Sequence, residues 1–525
     1  MKGQQSLIAG ISVLGIAGLI CKVVGVLYKI PLARTIGPLG MGVYHQVFPT
    51  YNLLLTISSV GIPVAISRMV SASIAEDNQV KAKRIFKNAL RILFVLGVIG
   101  TFLMIFFSSN LSNAKGTPEA AKSFIAIAPS LFFVCIMSAF RGFMQGRRRM
   151  IPTAVSQLIE QVGKVFIAMP FAYAGMQRGG HIEGAAGALL GTSIAELVAL
   201  IYMAVDYYMH RQDMPAATNL SFEEPSNKSI IKELVATSIP ITIGACIVPL
   251  ASEADSFMLV KLMSNYLPRE EAVIRYGIYV GLVIALINVP TALAMAVSTN
   301  LVPNISAAKQ KQDYSVLKRH TQTGLKAAAV IGFPASIGMS LLAEPILVIL
   351  FRGEQYTSSQ LLQGARLLEI SSLTILLFTM VQATSGILQG LGKQRIPMYT
   401  LAIGVAFKIL LNQILVRIPS VNIFGAPFAS LLCYAASMFP NLYYVSKYTK
   451  TKIDISPVFL RPLASTAVMA AAVLIIKALL KEKINDSFLL LSATILIAMA
   501  VYYFAAKKLG CLDEIAKRKG IKQHE

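Results

Sequence analysis

Apolar runs of twenty residues or more, separated by short polar connections, recur along the chain from Ser6 to Phe504. Each can cross roughly 30 Å of hydrocarbon as an α-helix, whose backbone groups satisfy one another where water is absent. Windows of this length predict about fourteen spans. Six lie near 6–30, 41–70, 88–109, 121–145, 152–176 and 183–208. A polar stretch from His210 to Asn227, carrying Glu223, Glu224 and Pro225, interrupts the pattern. Six more follow near 231–263, 275–306, 322–351, 360–390, 396–416 and 422–446, then two near 460–480 and 487–506. The predicted fold class is an all-α polytopic membrane protein.

The pattern also repeats. Lys83, Arg84, Leu90, Arg91 and Gly97 return 235 residues later as Lys318, Arg319, Leu325, Lys326 and Gly332. Gln145, Gly146, Pro152 and Lys164 return as Gln389, Gly390, Pro397 and Lys408. Two six-helix lobes of common origin are expected, 1–208 and 231–447, joined by a cytoplasmic linker over 209–230. Two additional spans over 448–507 and a basic tail over 508–525 stand outside the repeat. Duplicated membrane halves are the usual architecture of proteins that move a substrate through a bilayer.

Composition strengthens this reading: 55% of residues are hydrophobic, 14% are charged, and the mean hydropathy is +0.65. The net charge of +23 would suggest nucleic acid in a soluble protein. Here the basic residues gather in alternate connections, such as Lys81–Lys87, Arg147–Arg149, Lys309–Arg319 and Lys447–Lys452, which the positive-inside rule assigns to the cytoplasm. No nucleic-acid partner is expected, and both termini are expected inside. The run after Met1 and Lys2 continues without a cleavage site, so it reads as the first span. Cys21, Cys135, Cys246 and Cys433 fall within apolar runs and the five histidines are scattered, so no metal site or cofactor is expected.

A charge near the bilayer centre is costly and needs a partner or a wet cavity, which makes such residues the candidates. Gly15, Gly18, Lys22, Gly25 and Lys29 fall on one helical stripe. The stripe either lines an aqueous cavity and offers ammonium groups to an anion, or packs closely at its glycines while Lys29 and Arg34 snorkel. Glu253 and Asp255 sit in the seventh predicted span, the repeat partner of the first. They either pair with Lys22 as a gate, bind a coupling cation such as Na+ or H+, or lie at the outer surface. Glu160 and Lys164 are spaced for an intrahelical pair. Lys408 repeats Lys164, and Arg141 opens a basic stretch leaving the fourth span. No phosphate-cradling loop or catalytic constellation is present, so no enzyme is predicted.

The segment Arg141-Gly-x-x-Gln145-Gly through Met150-Ile-Pro152-Thr-Ala-Val-Ser-Gln157-x-x-Glu160-Gln resembles the stage V sporulation protein B and lipid II flippase-like family of the multidrug/oligosaccharidyl-lipid/polysaccharide exporter superfamily. Leu32-Ala-Arg34-x-Ile-Gly37-x-x-Gly40-x-Gly42-x-Tyr44 and Gly61-Ile-Pro63-Val-Ala-Ile-Ser67 are similar too. The resemblance implies a monomeric flippase of a bacterial cytoplasmic membrane. Its cargo would be an undecaprenyl-diphosphate-linked saccharide such as lipid II, moved by alternating access in peptidoglycan biosynthesis or sporulation. It implies that Lys22 and Lys29 line the cargo cavity and that Asp255 matches an acidic family position; Arg34 is added to the cavity candidates as the next cation along the same span. Arginines expected in the second and eighth spans are replaced by Leu53–Leu55 and by Ile284 and Ala285. The alternatives are an exporter of other polysaccharide repeat-unit lipids or drugs, and a polyprenyl-lipid-dependent glycosyltransferase.

Overall fold

The computed structural model describes residues 2–210, 226–480 and 483–512, so most of the 209–230 linker and of the basic tail lies outside the described residues. The described chain is helical almost throughout and contains no strand. In order the helices are α1 (Lys2–Ser59), α2 (Gly61–Ala75), α3 (Gln79–Phe106), α4 (Ser108–Ala114), α5 (Ala121–Gly146), α6 (Ile151–Gly163), α7 (Met169–Met209), α8 (Asn227–Met263) and α9 (Arg269–Gly277). They continue as α10 (Ala285–Gln310), α11 (Tyr314–Leu341), α12 (Ala343–Phe351), α13 (Ser358–Gly390), α14 (Arg395–Leu415), α15 (Gly425–Thr449), α16 (Arg461–Leu480), α17 (Lys483–Asp486) and α18 (Phe488–Lys508). Wider π turns connect α6 to α7 (Lys164–Ala168), α9 to α10 (Ile278–Ile284) and lead into α16 (Ser456–Leu460).

Among the described residues twelve helical stretches are long and apolar enough to span a membrane. Two of them fold back on themselves, which reconciles this count with the fourteen predicted spans. In α1 the reversal is at Gly37, whose φ of 65° and ψ of −178° suit glycine, followed by Pro38. Lys29 consequently comes back within electrostatic reach of His45. In α7 it is at Gly179 and Gly180, the latter with φ 74°. Across that hairpin Gly175 lies against Glu183, Gly187 against Phe171 and Gly191 against Ala168, contacts that leave no room for a side chain. Large apolar side chains such as Phe102, Phe106, Leu479 and Leu496 point outward, as a lipid-facing surface requires.

By compactness the chain divides into residues 1–277 and 278–525, a boundary within the continuous helical run from α9 to α10. In the first unit α2, α3, α5, the second half of α7 and α8 pack around Ile66, Phe86, Phe143 and Met203. In the second, α10, α11, α13 and α15 pack around Leu325, Met380 and Ile387. The two final long helices attach to α11. Lys477 donates to the Leu341 carbonyl at 3.0 Å, Tyr502 to that of Val330 at 2.9 Å, and Lys326 to that of Gly510 at 3.0 Å.

The repeat survives as packing and as backbone. Gly97 abuts Cys135 and Phe132, and its counterpart Gly332 abuts Thr379 and Leu376, the residues 244 further on. Gly142 lies on Pro63 and Gly386 on Ser298, again equivalent pairs. Left-handed residues recur at Asp77 and Gln312, each just before a side-chain cap at Asn78 or Asp313. They recur again at Arg148 and Gly392.

Candidate functional site

Among the described residues of the first unit, two groups of buried charges stand out. The first begins in the connection between α3 and α5, where Lys115 follows α4 and is wholly buried. Its ammonium donates to the Gln46 carbonyl at 2.8 Å, to Thr50 Oγ1 at 2.6 Å, to Glu253 Oε2 at 3.1 Å and to Ser256 Oγ at 2.7 Å. Phe257 presents its ring face 4.7 Å away. Thr50 in turn donates to Glu253 Oε1 at 2.8 Å, so both carboxylate oxygens have partners. Burial pulls the Lys115 ammonium down to about 8, with the Glu253 carboxylate opposing the shift. The result is a desolvated, fully hydrogen-bonded ion pair that ties the connection to α1 and α8. Asp255, two residues on, is half-buried and off this face.

The second group joins α5, α6, the π turn and α7. Arg141 Nη2 meets Glu160 Oε1 at 2.5 Å, and its Nε donates to Ser156 Oγ at 2.9 Å. Glu160 thus closes on a guanidinium from α5, across two helices. Beside it stands the carboxyl of Glu196 from the second half of α7, 4% exposed, with Oε2 lacking any hydrogen-bond partner. Lys164 is within electrostatic reach of Glu196, and so is Tyr51 of α1. From the α1 side, Cys21 faces Glu160, Lys164 and Arg141, and Gly25 sits against Gln161, whose amide oxygen would be 3.3 Å from an added Cβ. Lys29, one turn beyond Gly25, is half-buried and within electrostatic reach of Lys164. Among the described residues neither of these lysines takes part in a hydrogen bond or ion pair.

Of the residues singled out from sequence, Lys29, Arg141, Glu160 and Lys164 therefore come together. Lys22 is in α1, but its side chain lies outside the described residues. Arg34 is exposed near the Gly37 reversal. Glu253 belongs to the Lys115 group, and Lys408 lies in α14 of the second unit. Lys115 and Glu196 were not among the expected residues. Glu196 meets the criterion that selected Glu253, a carboxylate inside an apolar run. Lys115 carries no such signal, because Asn113-Ala-Lys-Gly-Thr-Pro118 reads as an ordinary surface turn.

The family described as "Polysaccharide biosynthesis protein" matches residues 7–309, and that described as MatE matches 240–414. The chain is similar to the lipid II flippase MurJ of Bacillus subtilis strain 168, 25% identical over 98% of each chain. It is similar to stage V sporulation protein B of the same organism, 26% identical over 81% of each. A solved structure of lipid II flippase MurJ in an inward closed conformation superposes with a TM-score of 0.69, at 15% identity, covering 94% of this chain and 97% of that one. That last likeness concerns the fold.

Proposed function

The chain belongs to the polysaccharide biosynthesis protein family, within the multidrug/oligosaccharidyl-lipid/polysaccharide exporter superfamily, and from that premise we propose that it flips an undecaprenyl-diphosphate-linked saccharide across a bacterial cytoplasmic membrane by alternating access. Lipid II or a similar cell-wall precursor is the cargo. The observation that carries this reading is the Lys29 and Lys164 pair, two lysines in membrane-spanning helices with no carboxylate bound to either among the described residues. Like charges brought together in a low dielectric repel each other unless an anion joins them, and a diphosphate supplies that anion. Lys22 extends the same helical stripe inward, and Arg34 guides the headgroup at the helix end. Glu253 and Asp255 take the gating role. The connection holding Lys115 lies opposite the basic ones, so the Lys115 and Glu253 pair closes the outer end of the unit.

The MatE match over 240–414 and the leucines at 53–55 favour, as second reading, an exporter of other repeat-unit lipids or drugs. Depletion of the gene separates the two. Accumulation of a polyprenyl-diphosphate-linked saccharide on the inner leaflet is expected, and an unchanged lipid-linked pool overturns the flippase reading. In reconstituted vesicles Lys29→Ala with Lys164→Ala should abolish flipping of that lipid while the protein still inserts.

A further inference from the structure

Glu196 is a carboxyl buried in the membrane part of the first unit with one oxygen unpartnered, and the charges around it are few enough to count. Arg141 of α5 is already committed to Glu160 of α6 at 2.5 Å and to Ser156. Tyr51 of α1 faces both carboxyls and shares a hydrogen bond with Ser130 at 2.8 Å. Cys21 of α1 stands near Arg141, Glu160 and Lys164. Among the described residues that leaves Lys164, on the turn between α6 and α7, as the cation available to Glu196. Lys164 is also the group that Lys29 of α1 faces. A buried carboxylate with neither a cation nor hydrogen-bond donors is strongly disfavoured against its protonated form. The ionisation of Glu196 therefore depends on where the Lys164 ammonium is directed.

We infer that Lys164 is shared between the anion-binding Lys29 and the buried carboxyl pair of Glu160 and Glu196, so that arrival of a diphosphate on the two lysines is linked to uptake of a proton at Glu196. This rests on the diphosphate cargo proposed above. With Lys164 directed at Glu196, two carboxylates face two cations. When the diphosphate draws Lys164 toward Lys29, two carboxylates remain against the single guanidinium of Arg141. Glu196 then takes a proton from water and, as a neutral acid, can donate it to Glu160 beside it. When the cargo leaves, Lys164 returns and the proton is released. Proton and diphosphate are thus bound together and released together, a positive linkage between the two ligands, and the device resides in the first unit alone.

The test is calorimetric titration of the full chain in nanodiscs with undecaprenyl diphosphate, in buffers of different ionisation enthalpy, comparing wild type with Glu196→Gln. Titration of the diphosphate itself is common to both proteins, so the difference isolates the protein's share. Wild type should take up about one proton more per ligand bound than Glu196→Gln. Its affinity should fall with rising pH by up to about tenfold per unit beyond the fall seen in the variant. Equal proton uptake in the two proteins overturns the inference while leaving the cargo reading intact. Absence of binding by wild type overturns the cargo reading, and the inference with it. Should Glu196→Gln not accumulate, Lys164→Gln serves instead, and retention of the full wild-type proton uptake in that variant overturns the linkage.

Discussion

The first repeat, around Lys83 to Lys164, and the second, around Lys318 to Lys408, share a skeleton and differ in their interior chemistry. Glycines at equivalent places let equivalent helices touch, and left-handed residues end the same helices. Yet Arg141 corresponds to Ser385, Glu160 to Gly404 and Ser156 to Thr400, leaving Lys164 and Lys408 as the shared cation. Where the first unit holds an Arg–Glu–Glu–Lys group, the second has Thr400 donating to Asn441 Oδ1 at 2.8 Å and Ser437 donating to the Thr400 carbonyl at 3.1 Å. Packing that is needed in both copies is retained in both. Charge, which is costly to bury, is concentrated in one, and a neutral hydrogen-bonded pair suffices in the other.

The sharpest break of this comparison is at Lys115, whose pair with Glu253 has no charged equivalent among the hydrogen bonds just described. Lys115→Met should destabilise by about 3–5 kcal/mol, because it strands a buried carboxylate. The double change Lys115→Met with Glu253→Met should recover most of that loss, as melting temperatures in detergent would reveal. Next, Arg141→Ala should cost about 1.5–3 kcal/mol through the hydrogen bonds lost to Glu160 and Ser156. The matching Ser385→Ala should stay within about 0.5 kcal/mol. Comparable effects from both would erase the distinction between the interiors.

The shared skeleton makes the opposite prediction. Gly142→Ala and Gly386→Ala place a Cβ 2.8 Å from the Pro63 carbonyl oxygen and 2.6 Å from Ser298 Oγ, respectively. Each should cost about 1–3 kcal/mol by overpacking, with thermal shifts of similar size. A smaller effect is expected from pH. Lys115 titrates near 8 when folded and near 10.5 when unfolded, so between these values the unfolded chain binds more protons. The burial penalty on its ammonium is relieved as pH rises through that window, and wild type should gain stability relative to Lys115→Met. A flat difference between the two melting curves from pH 8 to 10.5 would contradict this.

Helix class, the spans and the repeat were legible because each is written in local periodicity or direct correspondence. So was the placing of Glu160 and Lys164 on one helix, which their spacing alone gives. Their meeting with Arg141 was not. The four-residue spacing of Glu160 and Lys164 suggests an intrahelical bond, but Lys164 begins a π turn and Glu160 finds Arg141 instead. Lys115 and Glu253 are 138 residues apart. No periodicity links a turn lysine to a distant helical carboxylate, so only the folded arrangement reveals that the turn is buried.

That π turn distinguishes the two copies in one more way. Residues 164–168 form a wide turn closed by bonds one residue longer than those of an α-helix, whereas Lys408 and Asn412 stand in the unbroken α14. The wide turn absorbs one residue more than an α-helical turn would, so the residues before it and α7 keep nearly the register they would have without it. What it changes is local: Lys164 and its neighbours lie off the rows that an unbroken helix such as α14 presents. An extra peptide unit, with no new functional group in it, thus re-aims a cation common to both copies while leaving the surrounding bundle in place.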